Sequence, residues 1–232
     1  INKHVNSKNG FARVTISKTT SYFDDEITFI ENAEVIIKEI ESGVEYELNF
    51  SKENQYYIEI ENISKSSDYE LNIYHENNHY QSKNILRRSP AIGNVKQGQR
   101  KSLNNDEIEI VTSFKDIEND DNYYLFEFGK GNLQPADDIY IEGNNFTFSY
   151  FINKNKIQNN KLEIKMEGID FQYFKFIIQV IIQTNTQNGP FAAPPTSIKG
   201  NIYCVNNDSL NPFGYFNVSE YDTFTLKDIN VN

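Results

Sequence analysis

The sequence predicts a mainly β protein in two parts: an N-terminal immunoglobulin-like β-sandwich, then a second β-rich domain with one buried helix at about 170–186. Three observations predict it. Apolar residues recur with a period of two over most of the chain, as half-buried strands require. One stretch breaks to a helical period. A basic interval containing glycine and proline separates two runs of strands.

In the first run, Val14 and Ile16 alternate with Arg13, Thr15 and Ser17. Ala33, Val35 and Ile37 share one parity, and Glu41-Ser42-Gly43 turns the chain into the next run as a hairpin. Val44, Tyr46, Leu48 and Phe50 alternate with Glu45, Glu47 and Asn49. Ile58–Ile60 and Tyr69–Leu71–Ile73 follow. Six or seven short strands in roughly 90 residues read as an immunoglobulin-like domain over 1–89.

The interval 90–106 reads as a linker. Arg87, Arg88, Lys96, Arg100 and Lys101 cluster around Pro90, Gly93 and Gly98. A solvated connection is the ordinary reading of such a cluster; a docking patch for an acidic partner is the sharper one.

The second domain, 107–232, resumes with Ile108–Ile110–Thr112–Phe114, Tyr124–Phe126–Phe128, Phe146–Phe148–Tyr150 and Leu162–Ile164–Met166. From 170 to 186 the polar residues Gln172, Lys175, Gln179 and Gln183 form one narrow stripe with apolar residues around the rest. The spacing predicts a largely buried helix, since a strand of this length would exceed the usual range. Short strands close the chain at Asn201–Tyr203, Tyr215–Val218 and Asp222–Leu226.

Composition narrows the function. The 232 residues carry a formal net charge of −11, with a pI near 4.8. Phosphate backbones and anionic lipid surfaces repel such a chain, which argues against nucleic-acid binding. No run of apolar residues is long enough to span a membrane. One cysteine, Cys204, rules out an internal disulfide framework and a cysteine-rich zinc cluster. In its apolar run it reads as an inert buried thiol.

His75-Glu76-Asn77-Asn78-His79 matches the H-E-x-x-H zinc-protease pattern. That chemistry requires a helix, which puts both imidazoles on one face with the glutamate as general base. Here the flanks alternate as strands, and Asn77-Asn78 reads as a two-residue hairpin turn. In that hairpin Glu76 faces His79, His75 faces Tyr80, and the two imidazoles diverge.

Asp116, Glu118, Asp120, Asn122 and Glu127 fit the ligand frame of a calcium-binding helix–loop–helix. Asp121 stands where that loop needs glycine, and a strand follows where a helix should start. A solvated acidic loop is the ordinary reading, with a calcium site of another kind as the alternative. No nucleophile–histidine pairing, nucleophile elbow or phosphate-binding loop is present. The sequence therefore assigns no catalytic, cofactor-binding or metal-ligating residue, and predicts a protein that is not an enzyme. Tyr56, Tyr57, Tyr123 and Tyr124 read as sheet packing, with a recognition surface as the alternative.

Several stretches together resemble one family. They are Phe29–Val35, Tyr69–Tyr80, Phe114-Lys115-Asp116 with Asp121–Tyr124, Gly189-Pro190-Phe191, Pro194-Pro195-Thr196, Gly200-Asn201-Ile202 and Asn211–Phe216. The chain resembles, over nearly its whole length, the Bacteroidota outer-membrane lipoprotein family of unknown function DUF4249, encoded beside SusC-like TonB-dependent receptors. The resemblance implies a surface-exposed outer-membrane lipoprotein whose first strand and lipidated cysteine lie upstream of Ile1. It implies a partner, a SusC-like β-barrel, with other surface lipoproteins as further candidates. Membrane attachment would come only through that lipid, with no cofactor and no nucleic acid. The implied role is an accessory, ligand-capturing or capping subunit. A purely structural subunit is the alternative, and a glycan or peptide hydrolase a weaker one. It further implies a structural role for Pro194-Pro195, Gly200 and Gly214, and a helix at 170–186.

Overall fold

The computed structural model describes residues 1–19, 26–103, 106–118, 121–139, 143–185 and 198–231. The chain divides into two compact units, Ile1–Leu86 with Thr196–Val218, and Arg87–Pro195 with Ser219–Asn232. Both are β-rich, with a single α-helix among the described residues. The strands of the first stretch are β1 (Asn2–His4), β2 (Gly10–Val14), β3 (Glu34–Glu39), β4 (Glu45–Glu47), β5 (Asn49–Ser51), β6 (Gln55–Ile60), β7 (Asp68–His75) and β8 (Asn78–Ile85). The second stretch holds β9 (Ile92–Gln97), β10 (Glu107–Lys115), β11 (Tyr123–Phe128), β12 (Leu133–Asp137), β13 (Asn145–Asn153), β14 (Leu162–Ile169) and α1 (Phe171–Asn185). β15 (Tyr203–Cys204) belongs again to the first unit and β16 (Ser219–Leu226) to the second.

In the first unit, antiparallel neighbours run β1-β2-β6-β5 in one array and β15-β8-β7-β3-β4 in another. Ala12, Tyr56 and Ile60 from the first share a core cluster with Val35, Ile37, Tyr69, Leu71 and Ile73 from the second. Period-two alternation puts these residues on inward faces. Buried Tyr56 satisfies its hydroxyl by donating to Ile30 O at 3.0 Å and accepting from Ala33 N at 2.8 Å.

The run Val44–Phe50 alternates without a break, yet it forms two strands. β4 pairs with β3, and β5 pairs with β6. Leu48 lies buried at the break and donates its N–H to Val35 O at 2.9 Å. Side-chain alternation continues through a strand that changes sheets, so periodicity alone does not reveal the corner.

Residues 198–218 differ from the contiguous division at 107–232, because they complete the first unit. The Ile1 main-chain nitrogen donates to Asn217 O at 2.8 Å. Asn201 grips the main chain of Phe216 at both ends, Nδ2 to O at 2.9 Å and Oδ1 from N at 2.7 Å. Gly200 sits where a Cβ would overlap the Gly214 carbonyl oxygen, so close backbone approach explains it. Gly189-Pro190-Phe191 and Pro194-Pro195-Thr196 lie outside the described residues.

In the second unit the arrays are β13-β10-β9 and β12-β11-β14-β16. Their core is aromatic. Phe114 meets Tyr124 edge-on at 5.2 Å, Phe126 meets Phe148 at 5.0 Å, and Phe128 stacks on Tyr150 at 4.3 Å. Residues 92–97, expected within the linker, are strand β9, with Ile92 and Val95 buried.

Helix α1 falls where the polar stripe places it. Asp170 caps it by accepting from Tyr173 N at 2.8 Å. The expected deep burial is corrected. Ile177 is buried, but Phe171 and Ile182 are 47% and 49% exposed. The helix is apolar around most of its girth, and among the described residues its core contacts, Leu125 and Ile169 with partly buried neighbours, use only one side. The abundant asparagines also find a role. Among the described residues, five of the seven non-glycine residues with positive φ are Asn (54, 62, 77, 159 and 160), the residue that tolerates this conformation best after glycine.

Candidate functional site

β7 and β8 form the hairpin read from the sequence, with the turn one residue earlier than expected. Glu76 and Asn77 occupy it, with φ of 48° and 62°. His75 therefore opposes Asn78, and His79 opposes Tyr74. Two successive positive φ values match the right-handed twist of the strands. His75 and His79 lie on opposite faces, as expected of a hairpin, so the H-E-x-x-H residues are not brought together. His75 Nε2 lies 3.4 Å from Glu76 Oε1. Among the described residues, no group of three or more His, Cys, Asp or Glu is placed to hold a metal ion.

The outward face of this sheet carries an organised polar surface. Cross-strand register aligns Tyr203, Gln81, Asn72 and Ile36 in one row. His79, Tyr74 and Glu34 form the next, and Lys83, Glu70 and Lys38 a third. Directly opposed residues share a face, so these side chains lie together. Asn72 is the hub and is buried. Its Oδ1 accepts from His79 Nε2 at 2.8 Å and from Gln81 Nε2 at 3.1 Å. Its Nδ2 donates to Glu70 Oε1 at 3.0 Å. Tyr203 donates to Gln81 Oε1 at 2.6 Å, and Lys83 pairs with Glu70 Oε2 at 3.0 Å.

Burial works against ionisation of Glu70, but the Asn72 amide and the Lys83 ammonium outweigh it and lower its pKa. Glu70 in turn raises the pKa of Lys83. Tyr74 stacks on His79 at 4.4 Å and 15°, and Tyr74 and Tyr203 stay 40% and 50% exposed.

Beside this face, at the hairpin tip, Glu34, Tyr74, His79 and Asn206 line a shallow depression of about 660 Å³. Asn206 fixes the tip: its Oδ1 accepts from His79 N at 3.0 Å, and its Nδ2 donates to Asn77 O at 2.7 Å. Cys204 is buried as expected, its Sγ 3.3 Å from Asn206 Oδ1. Prepositioned amides, hydroxyls and an exposed ring suit recognition of a polar ligand through hydrogen bonds and stacking.

The other sequence candidates are structural where described. Asp116 is buried, with Oδ1 accepting from Tyr124 and Oδ2 from Gly143 N. Asn122 bonds back to Ile117 O at 2.9 Å, and Glu127 turns to Gly131 N at 2.8 Å. The calcium frame is thus dispersed, and Asp120 lies outside the described residues. Burial raises the Asp138 carboxyl pKa, with nearby Asp116 adding to it. In the basic interval, Arg100 is drawn to buried Glu109, with Nε to Oε1 at 2.5 Å. Tyr56 and Tyr124 are core, Tyr57 stacks on Phe11 at 5.8 Å, and Tyr123 packs on Phe171 and Phe174 at 5.1 Å. The Asn72 network was missed. Its only trace in the sequence is the parity shared by Glu70, Asn72 and Tyr74; the partners on β8 and β15 depend on register.

A β-rich, two-unit protein with a preorganised polar–aromatic face is the class these features define. The chain belongs to a family described as a domain of unknown function, DUF4249, whose model matches residues 2–225. No curated protein matches the chain.

Proposed function

We propose that this chain is a non-enzymatic, lipid-anchored outer-membrane protein, acting as a ligand-capturing or capping subunit of a SusC-like TonB-dependent transporter. Its first unit is read as an immunoglobulin-like sandwich that presents the outward β7–β8–β15 face. The observation that carries the reading is that face: Asn72 locks His79 and Gln81 in place while Tyr74 and Tyr203 remain open. Side chains held before a ligand arrives lower the ordering cost of binding. The outer-membrane setting rests on the family resemblance.

The test is co-purification of the tagged full-length protein from native membranes. A β-barrel partner in stoichiometric amount is expected. A protein that runs alone would overturn the complex. A binding screen with glycans, peptides and iron–siderophores then separates capture from support. Binding that Tyr74→Ala and Asn72→Ala abolish assigns capture to the face; a barrel partner without any ligand leaves a structural subunit.

A further inference from the structure

Strand β13 is an open sheet edge of an unusual kind. It pairs with β10 over Asn145–Asn153 without interruption, from Lys115↔Asn145 to Glu107↔Asn153. It ends its array, so no strand lies on its other side among the described residues. Asp116 N donates to Asn144 O, and Lys154 N donates to Asp106 O. In an antiparallel ladder hydrogen-bonded pairs alternate, so the even-numbered residues bond toward β10. The main-chain N–H and C=O groups of Asn145, Thr147, Ser149, Phe151 and Asn153 therefore point out of the edge. Among the described residues these groups have no partner, except the Asn153 C=O, which accepts the first bond of the 3-10 turn Lys154–Lys156.

Open edges recruit strands from other chains, and proteins guard them with charge, proline, irregularity or shortness. Among the described residues the other edge strands, β12, β4, β5, β15 and β9, are guarded. β12 carries Pro135 and Asp137. β4 has three residues, two of them Glu. β5 and β15 have three and two residues. β9 carries Lys96, and its register is irregular between Thr112 and Phe114. β13 has nine residues, NFTFSYFIN, with no charge, no proline and no break.

The sequence of this edge also suits its own image. About a two-fold axis at Ser149, Asn145 opposes Asn153 of a second copy and Thr147 opposes Phe151. On the core side Phe148 opposes Tyr150 and Phe146 opposes Ile152. These are aromatic and aromatic–β-branched cross-strand pairs, which stabilise antiparallel neighbours. With Ser149 on the axis, the outward N–H and C=O groups of Thr147, Ser149 and Phe151 all meet partners in the second copy. The chain carries a net charge of −11, but β13 itself has no charged residue; the charge nearest the axis is Arg100, which donates to Ser149 Oγ and is paired with Glu109.

We infer that β13 is a self-association edge: two copies of this chain pair their β13 strands antiparallel, centred on Ser149, in an isologous two-fold contact.

The test is sedimentation velocity of the full chain from low micromolar to near-millimolar concentration, alongside Thr147→Pro and Thr147→Lys. A concentration-dependent dimer is expected. Thr147→Pro removes an outward N–H that β10 does not use, and proline is tolerated at such an edge position. It should weaken dimerisation about tenfold or more, since the lost bond occurs twice per dimer. Thr147→Lys keeps the N–H but places a charge at the seam, and should weaken it as well. Circular dichroism confirms that each variant folds; if the proline variant does not, the lysine variant decides. A wild type that stays monomeric throughout overturns the inference, as does a dimer that a folded variant leaves unchanged. A monomeric wild type that captures an extended peptide of unrelated sequence along β13 would give the edge to another partner and overturn the second-copy assignment.

Discussion

Tyr124 donates its hydroxyl proton to Asp116 Oδ1 across 2.5 Å, and neither side chain reaches solvent. Burial first, and the Asp116 carboxylate behind it, push the Tyr124 pKa well above the usual range, so the donor keeps its proton. Gly143 N meets the second carboxylate oxygen at 2.7 Å. Tyr124→Phe should cost about 1–3 kcal/mol, because one buried acceptor loses its partner. Asp116→Ala should cost more, since it leaves two donors unpaired. Urea unfolding of both variants measures the order; equal losses would mean that the Gly143 bond contributes nothing.

Acid should weaken the second unit through Glu109. The Ser149 hydroxyl foremost, with the Arg100 N–H and guanidinium, outweighs burial and holds this carboxyl down to about 2. The unfolded chain binds the proton near the ordinary glutamate value of about 4.3. The folded state thus resists protonation between these values. Its stabilisation is complete above about 4.3 and is lost as the pH falls through about 2. Glu109→Gln should lower stability at neutral pH and flatten the decline across that window. Unfolding midpoints along a pH series check it, and parallel curves for wild type and variant would contradict it.

The two motif glycines should differ sharply. A Cβ at Gly200 would overlap the Gly214 carbonyl oxygen, whereas at Gly214 it would meet only the flexible Ile202 Cδ1 at 3.2 Å. Gly200→Ala forces two backbones apart and should be severely destabilising, about 4 kcal/mol or more. Gly214→Ala should stay within about 1 kcal/mol. Thermal unfolding of the two variants side by side decides it, and similar melting temperatures would refute the close-approach account.

On the outward face of β7, burial ranks the residues. Asn72→Ala removes the common partner of His79, Gln81 and Glu70, and should cost about 1–3 kcal/mol. Lys83→Ala breaks an ion pair whose lysine is 56% exposed, and should cost clearly less than Asn72→Ala. Chemical denaturation of both variants tests the ranking, which equal losses would reverse.

Local patterns carried much of this fold. Alternation marked the strands, the Gln172–Gln183 stripe marked α1, and the strand-like flanks of His75–His79 marked a hairpin instead of a zinc helix. Long-range facts were hidden. Leu48 keeps its parity while the chain changes sheets, so nothing local shows the corner. The turn at Glu76-Asn77 was misplaced by one residue, because Asn77-Asn78 carries the stronger turn chemistry while Glu76 is a poor residue for positive φ. The Asn72 network needs Tyr203, whose partner Gln81 lies far away in sequence. The depth of α1 was overestimated because an apolar girth shows that cover is needed, without showing where it comes from.

The hold of Asn201 on Phe216, and of the Asn217 carbonyl on Ile1 N, sets an order of events during synthesis. Domains that are continuous in sequence fold as they emerge. The first unit cannot do so. Its opening strands must wait for segment 198–218, after nearly the whole of the second unit has been made. Until then the faces that will receive Phe216 and Val218 stay open, exposed to chaperones or to misfolding. A chain stopped before residue 200 would leave both units unfinished, the first without its closing segment and the second without β16.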